Sequence, residues 1–220
     1  NHVWAVGGYI DPANDLYYLG IILSFNGTKW TSHTSSTLAY LYDVHAVDSN
    51  HVWAVGYQST SLFYNGVSWS EKYTGYIYKK NGVSASDANH VWVVGSDGGI
   101  VFFNGTSWSF QSSGITYDLR GVSALDANHV WAVSKFPSGV LFYDGTSWSV
   151  QTSGNPLDGV SALDANHVWA VGEFHLTCSS SIIVFYDGTS WSHQYSGTEN
   201  RLYGVSASDA NNVWAVGDYG

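Results

Sequence analysis

Methionine is absent from the 220 residues, and cysteine occurs once, at Cys178. A lone thiol excludes an intrachain disulfide framework and leaves the redox compartment open. Lysine and arginine together number seven against seventeen acidic residues, a formal charge of −10. The attraction that drives binding to phosphate backbones becomes repulsion, which argues against nucleic acid and anionic membranes as partners. No run is long and apolar enough to insert across a bilayer, and no window has helical periodicity. Only 11% of residues are charged while 45% are hydrophobic and 16% aromatic, so the chain folds around a substantial core rather than remaining disordered. With no methionine, and with a repeated phrase already under way at Asn1, the expectation is a piece of a longer or processed chain whose signal peptide lies outside it.

What is present is a repeat. Asn-His-Val-Trp-Ala-Val-Gly begins at Asn1 and Asn50, recurs with small changes at Asn89, Asn128 and Asn166, and returns as Asn-Asn-Val-Trp-Ala-Val-Gly from Asn211, at spacings of 49, 39, 39, 38 and 45 residues. Between these anchors each unit runs through the same order: an apolar segment ending in Tyr or Phe, an Asn-Gly or Asp-Gly turn, Thr-Ser-Trp-Ser, a polar loop, Leu-x-Gly-Val-Ser-Ala, and Asp-Ala-Asn. Val, Ile, Trp, Phe and Tyr fill four short segments per unit and tight-turn residues separate them, the composition of hairpins between strands. Val130-Trp131-Ala132-Val133 is apolar on both alternating faces, so it belongs in a sheet covered on both sides.

About 40 residues and four strands per repeat is the spacing of propeller blades. The fold class expected is all-β, a propeller of four-stranded antiparallel blades, with Leu-x-Gly-Val-Ser-Ala innermost and Thr-Ser-Trp-Ser outermost. The units are 1–49, 50–88, 89–127, 128–165, 166–210 and a partial 211–220, in one domain. Six second strands but five of each other strand leave two readings open, a five-bladed ring with a redundant end or part of a ring of six or more. The run Gly-Val-Ser-Ala-Leu-Asp-Ala-Asn-His-Val-Trp-Ala-Val-Gly, followed by Tyr-Asp-Gly-Thr-Ser-Trp, resembles BNR or Asp-box-type propeller repeats and those of the photosystem assembly-factor propellers. The turn Asp-Gly-Thr-Ser-Trp is one residue shorter than the Asp-box order, so the likeness is to the blade type and implies a fold without an inherited activity.

All eleven tryptophans fall on repeat positions, which assigns them to the core. His51, His90, His129 and His167 follow the Asp-Ala-Asn-type turn about a blade apart and read as strand-end residues rather than a metal cluster. Asp87, Asp126, Asp164 and Asp209 read as turn carboxylates accepting backbone hydrogen bonds. Gly121, Gly159 and Gly204 read as points of close backbone approach between inner strands. Asp43 and His45 stand where other units have Gly and Ser, and are expected to fill a local gap as a hydrogen-bonded pair or, alternatively, to form an axial polar site. Glu173, His175 and Cys178 share a loop but have no recognised metal spacing, and the sequons at Asn26 and Asn104 lie on repeated hairpin turns.

Function is expected on the face where loop length and chemistry vary between repeats. An aromatic recurs two residues after the second strand, as Tyr9, Phe136, Phe174 and Tyr219; Tyr57 stands one place earlier in its loop and Asp97 takes the position in another. With Asp11, Glu173 and Asp218 nearby, and Tyr17 and Tyr18 in the longest insertion, these form a candidate surface for stacking on sugar faces, or alternatively rings that pack between blades. An Asp-box sialidase needs an arginine cluster, and only Arg120 and Arg201 are present, near inner strands of different blades. Paired catalytic carboxylates are lacking, since the inner strands offer only Asp43 and Asp158 in separate blades. The expectation is a non-enzymatic binding module without cofactor or metal, lectin-like toward glycans; the alternative is a protein-interaction or surface-assembly scaffold. Low lysine and abundant Ser, Thr, Gly and Trp point to an extracellular or cell-surface setting.

Overall fold

The computed structural model describes residues 3–10, 18–34, 39–135, 137, 139–152, 154–174 and 180–219. The first sheet is β1 (Val3–Ile10), β2 (Tyr18–Phe25) and β3 (Trp30–His33). Four antiparallel four-stranded sheets follow in chain order: β4 (Leu41–Ala46), β5 (Val52–Gly56), β6 (Ser61–Tyr64) and β7 (Trp69–Glu71); β8 (Lys80–Asp87), β9 (His90–Gly95), β10 (Ile100–Phe103) and β11 (Trp108–Gln111); β12 (Leu119–Ala124), β13 (Val130–Ser134), β14 (Val140–Tyr143) and β15 (Trp148–Thr152); β16 (Leu157–Asp164), β17 (His167–Phe174), β18 (Ser180–Tyr186) and β19 (Trp191–Gln194). A two-stranded sheet, β20 (Leu202–Asp209) and β21 (Asn212–Gly217), comes last. The strand order inside each sheet, and the count of six second strands against five of the others, are those the repeat predicts. The strands gather into two compact units, Asn1–Ser96 with Ile100–Phe110, and Asp97–Gly99 with Gln111–Gly220.

Second strands are the spine. Every residue of β5 and β13 is buried, as expected of a segment apolar on both faces. In the first unit Trp53, Val55, Val83, Val91 and Val93 form one core cluster; in the second, Trp131, Val133, Leu157, Val168 and Ile182 form another. In the first unit two outer-strand tryptophans pack edge-on against the second-strand tryptophan of the preceding sheet, Trp69 on Trp4 at 5.3 Å and Trp108 on Trp53 at 5.2 Å between ring centres. Two tryptophans depart from the core expectation. Trp214 is 59% exposed because β21 pairs with no third strand among the described residues, and Trp30 is 51% exposed with the ring of Phe25 beside it.

Successive inner strands are stitched by side chains. Ser123 Oγ accepts from Ala162 N at 3.0 Å, and Ser161 Oγ accepts from Ala207 N at 3.2 Å. Asp43 stitches β4 to β8 in the same manner, accepting from Val83 N and from its own neighbour Val44 N, both at 2.8 Å. Close approach explains two of the three inner-strand glycines: a Cβ on Gly159 would stand 2.8 Å from Tyr203 O, and one on Gly121 3.1 Å from Asp158 O, whereas Gly204 meets only the Val216 side chain at 3.4 Å.

Every inner strand also carries a bulge at one position. Register slips between Leu41 and Asp43, Lys80 and Gly82, Leu119 and Gly121, Leu157 and Gly159, and Leu202 and Gly204. The extra residue is the x of Leu-x-Gly, which reads Leu-x-Asp in β4 and Lys-x-Gly in β8: Tyr42, Asn81, Arg120, Asp158 and Tyr203. A bulged residue leaves the ladder and its side chain is re-aimed. These five therefore sit at the strand end where second strands finish and inner strands begin, the face of variable loops.

Candidate functional site

In the first unit that end is built of tyrosine. Tyr42 comes from the β4 bulge, Tyr57 from the residue after β5, and Tyr76 and Tyr78 from the segment leading into β8. Antiparallel pairing of Leu41 with Gly56, and the bridge between Tyr57 and Lys79, bring these three stretches together. Tyr76 is 67% exposed, with Tyr42 and Tyr78 also exposed. The Tyr57 and Tyr78 rings meet at 64° and their hydroxyls share a hydrogen bond of 2.5 Å. That bond, followed by burial and by the nearby Tyr57, Tyr76 and Tyr42 phenols, holds the Tyr78 hydroxyl above the usual tyrosine range. Rigid, amphipathic rings gathered on one surface lose little conformational entropy on contact and cover a large area.

In the second unit the same strand end is charged. Arg201, just before β20, forms a two-pronged ion pair with Asp158 of the β16 bulge, Nη2 to Oδ1 at 2.6 Å and Nε to Oδ2 at 2.9 Å. That pairing raises the guanidinium above its ordinary value. Arg201 also lies 3.5 Å from Glu173 and over the ring of Tyr203, whose hydroxyl donates to Asp218 at 3.1 Å. Lys135, at the end of β13, is held below the ordinary lysine value by burial and then by the cations Arg120 and Arg201, against the pull of Asp158 and Glu173. Arg120, on its own bulge, stands 3.7 Å from Asp118 and keeps Nε buried with no hydrogen-bond partner among the described residues. Asp97 N donates to the same Asp118 at 3.2 Å from a backbone with φ of 58°. Three of the seven cationic side chains thus interact at one place, and charges paired this closely present fixed donors and acceptors to a ligand.

The residues expected from sequence are divided by this picture. Tyr57, Asp97, Glu173 and Asp218 belong to the two clusters. Tyr9, 45% exposed on β1, and Tyr219, 94% exposed with φ of 59°, stand outside them. Asp11, Tyr17, Phe136, His175 and Cys178 lie outside the described residues, and Tyr18 and Phe174 are placed in strands without described side chains. The sequence reading missed Tyr42, Tyr76, Tyr78, Lys135, and the joining of Arg120 with Arg201. For Tyr42 and Arg120 the signal available was the variable residue inside the repeated inner-strand motif.

The opposite strand end is repetitive. Asp48, Asp126 and Asp164 each bind the ring Nδ1 of the histidine three residues on, at 2.9 to 3.0 Å, and accept the backbone N–H of the intervening Asn. These histidines close the turn; His129 and His167 stack on Trp131 and Trp169, and His51 meets the ring of Phe63. Asn26 and Asn104 use their side-chain oxygen on the backbone of their own turns. Among the described residues no three His, Cys, Asp or Glu side chains gather where a metal ion would sit.

Three further ionisable groups are inside the fold. Lys80 occupies the register position of Leu41, Leu119, Leu157 and Leu202 and is fully buried. Its ammonium donates to Ser59 O, Ser61 Oγ and Thr74 Oγ1 at 2.6, 2.9 and 2.8 Å, and burial lowers it to about 8. Burial pushes the Asp43 carboxyl up to about 6 against its two backbone donors, and lowers His45; instead of the expected pair, Asp43 bonds Val44 and Val83 N and His45 bonds the Ala85 backbone.

No protein-family model matches the chain, and no curated protein matches it. Among solved structures it is similar to YCF48 bound to D1 peptide, at 18% identity and TM-score 0.63 over 84% of this chain and 64% of that one. It is likewise similar to the WD40 β-propeller domain of Doa1 (12%, 0.66, 84% and 64%) and to YCF48 from Cyanidioschyzon merolae (14%, 0.60, 91% and 73%). The chain spans 64% of the length of the first two. With four-stranded antiparallel sheets in chain order, these likenesses make the chain an all-β propeller whose blades are similar to those of photosystem assembly-factor and WD40 propellers.

Proposed function

We propose that this propeller is a protein-binding module that takes an extended peptide segment on the variable face. The observation that carries the reading is the gathering of Tyr42, Tyr57, Tyr76 and Tyr78 at one strand end of the first unit. Exposed tyrosines clustered in this way are what interface centres are enriched in, and charged groups such as Arg201, Asp158 and Lys135 supply polar recognition at the same strand end of the second unit. One similar structure, of YCF48, is described as bound to a peptide, which supports a peptide as the partner class.

The test is selection of a displayed random-peptide library against the immobilised chain, followed by the Tyr76→Ala and Tyr78→Ala variants. Selected peptides should lose binding by about tenfold or more with each change, the scale of an interface hot spot. An empty selection on folded protein, or peptides indifferent to both changes, overturns the reading. A lectin-like use of the loops is the second reading, favoured by the isolated exposed rings of Tyr9 and Tyr219. A glycan array read with Tyr9→Ala and Tyr219→Ala decides it.

A further inference from the structure

Where two blades meet near the hairpin-turn end, the residue three places after the outer tryptophan stands beside the gap between them at His33, Lys72 and Gln151. In the first unit, His33 lies against Trp4 at 5.0 Å and Tyr64 at 6.1 Å between ring centres, and Trp4 itself touches Tyr64 at 5.0 Å. At the next gap Lys72 extends over Phe63 at 6.0 Å, and Trp53 contacts both Phe103 and Trp108 of the following blade. The second unit breaks the pattern. Gln151, likewise three residues after its outer tryptophan but bulged out of the β14–β15 register, turns back to Ser149 Oγ at 3.0 Å. Among the described residues Trp131 makes ring contact with neither Tyr186 nor Trp191. The result is a cavity of about 310 Å³ lined by His129, Trp131, Phe142, Gln151, Asn166 and Tyr186.

The lining has a definite chemistry. Phe142 and Tyr186 give aromatic walls. His129 has Nδ1 engaged by Asp126, which leaves Nε2 for a ligand. The Tyr186 hydroxyl has no partner among the described residues, whereas Tyr64 and Tyr143 donate theirs to Gly66 O and Gly145 O at 3.0 Å. Asn166 and Gln151 add two carboxamides, and no lysine, arginine or carboxylate lines the space. Aromatic walls with a few neutral hydrogen-bonding groups, at the small end of ligand-pocket volumes, suit one neutral ring carrying several hydroxyls. We infer that this blade gap is a binding site for a single pyranose residue of a neutral glycan, at the strand end opposite to the variable face and independent of peptide binding there.

The first unit supplies the test, because its own residues show what fills such a gap. Saturation-transfer NMR of the whole chain against glucose, galactose, mannose, fucose and N-acetylglucosamine should give a signal with at least one sugar. Gln151→Lys, which installs the residue found at Lys72, should weaken that signal about tenfold or more while the melting temperature stays within a degree or two. Tyr186→Phe should weaken it about fivefold through loss of one hydroxyl. Tyr9→Ala, at the other strand end, should leave it unchanged. No signal with any of the five sugars, or a signal that survives both Gln151→Lys and Tyr186→Phe, overturns the assignment.

Discussion

Lys80 allows the cost of a buried charge to be read directly. Its position holds leucine in the other four inner strands, yet here an ammonium is caged by one carbonyl and two hydroxyls. Lowering from 10.5 to about 8, at about 1.4 kcal/mol per tenfold change in proton affinity, means that the charged form destabilises the fold by about 3 kcal/mol relative to the neutral amine. Because the folded value lies below the unfolded one, this penalty is complete below about pH 8 and fades as pH rises toward 10.5. Lys80→Leu removes it, and Ser61 and Thr74 keep their mutual hydrogen bond of 2.8 Å. Denaturant unfolding of parent and variant should therefore show the parent gaining about 2–3 kcal/mol on the variant between about pH 7 and about pH 10. For a chain of this length that is a relative shift of about 5–10 °C in Tm. A stability difference constant across that range would refute the argument, because it would mean that the cage solvates the ammonium as well as water does.

Asp43 should show the acid counterpart. Its folded value near 6 exceeds the ordinary 3.8, so the stability it contributes is complete below about 3.8 and lost as pH rises through 6; parent should gain on Asp43→Asn as pH falls from about 6.5 to about 4, by chemical denaturation. Trp131→Ala, at 2% exposure, should cost about 3–5 kcal/mol, whereas Trp214→Ala, at 59%, should cost under about 1 kcal/mol, by the same assay. Gly172→Ala places a Cβ 2.1 Å from Pro156 O and should cost about 1–3 kcal/mol, seen as a lower melting temperature.

The blade plan was legible because it is written six times: the turn residues, the doubly apolar second strand and the strand counts all recur at fixed spacing. The site was half legible, for opposite reasons. Tyr57, Glu173 and Asp218 lie next to the end of a second strand, where the loop announces itself. Tyr42, Arg120, Asp158 and Tyr203 lie inside a strand motif, and only the register slip shows that they leave the ladder. Arg201 and Asp158 come from different blades, so their ion pair exists only once inner strands stand side by side. Trp30 and Trp214 shared the repeat's signature but not its packing, since burial depends on the neighbouring blade and not on the residue's own unit.

The bulge separates what a blade must say from what it is free to say. Leucine (lysine in β8) before it and glycine (aspartate in β4) after it keep their ladder positions, while the register skips the residue between them. A change at Tyr42 in the first unit, or at Arg120 or Tyr203 in the second, would therefore alter the chemistry offered at that strand end while the flanking strand positions stay in register.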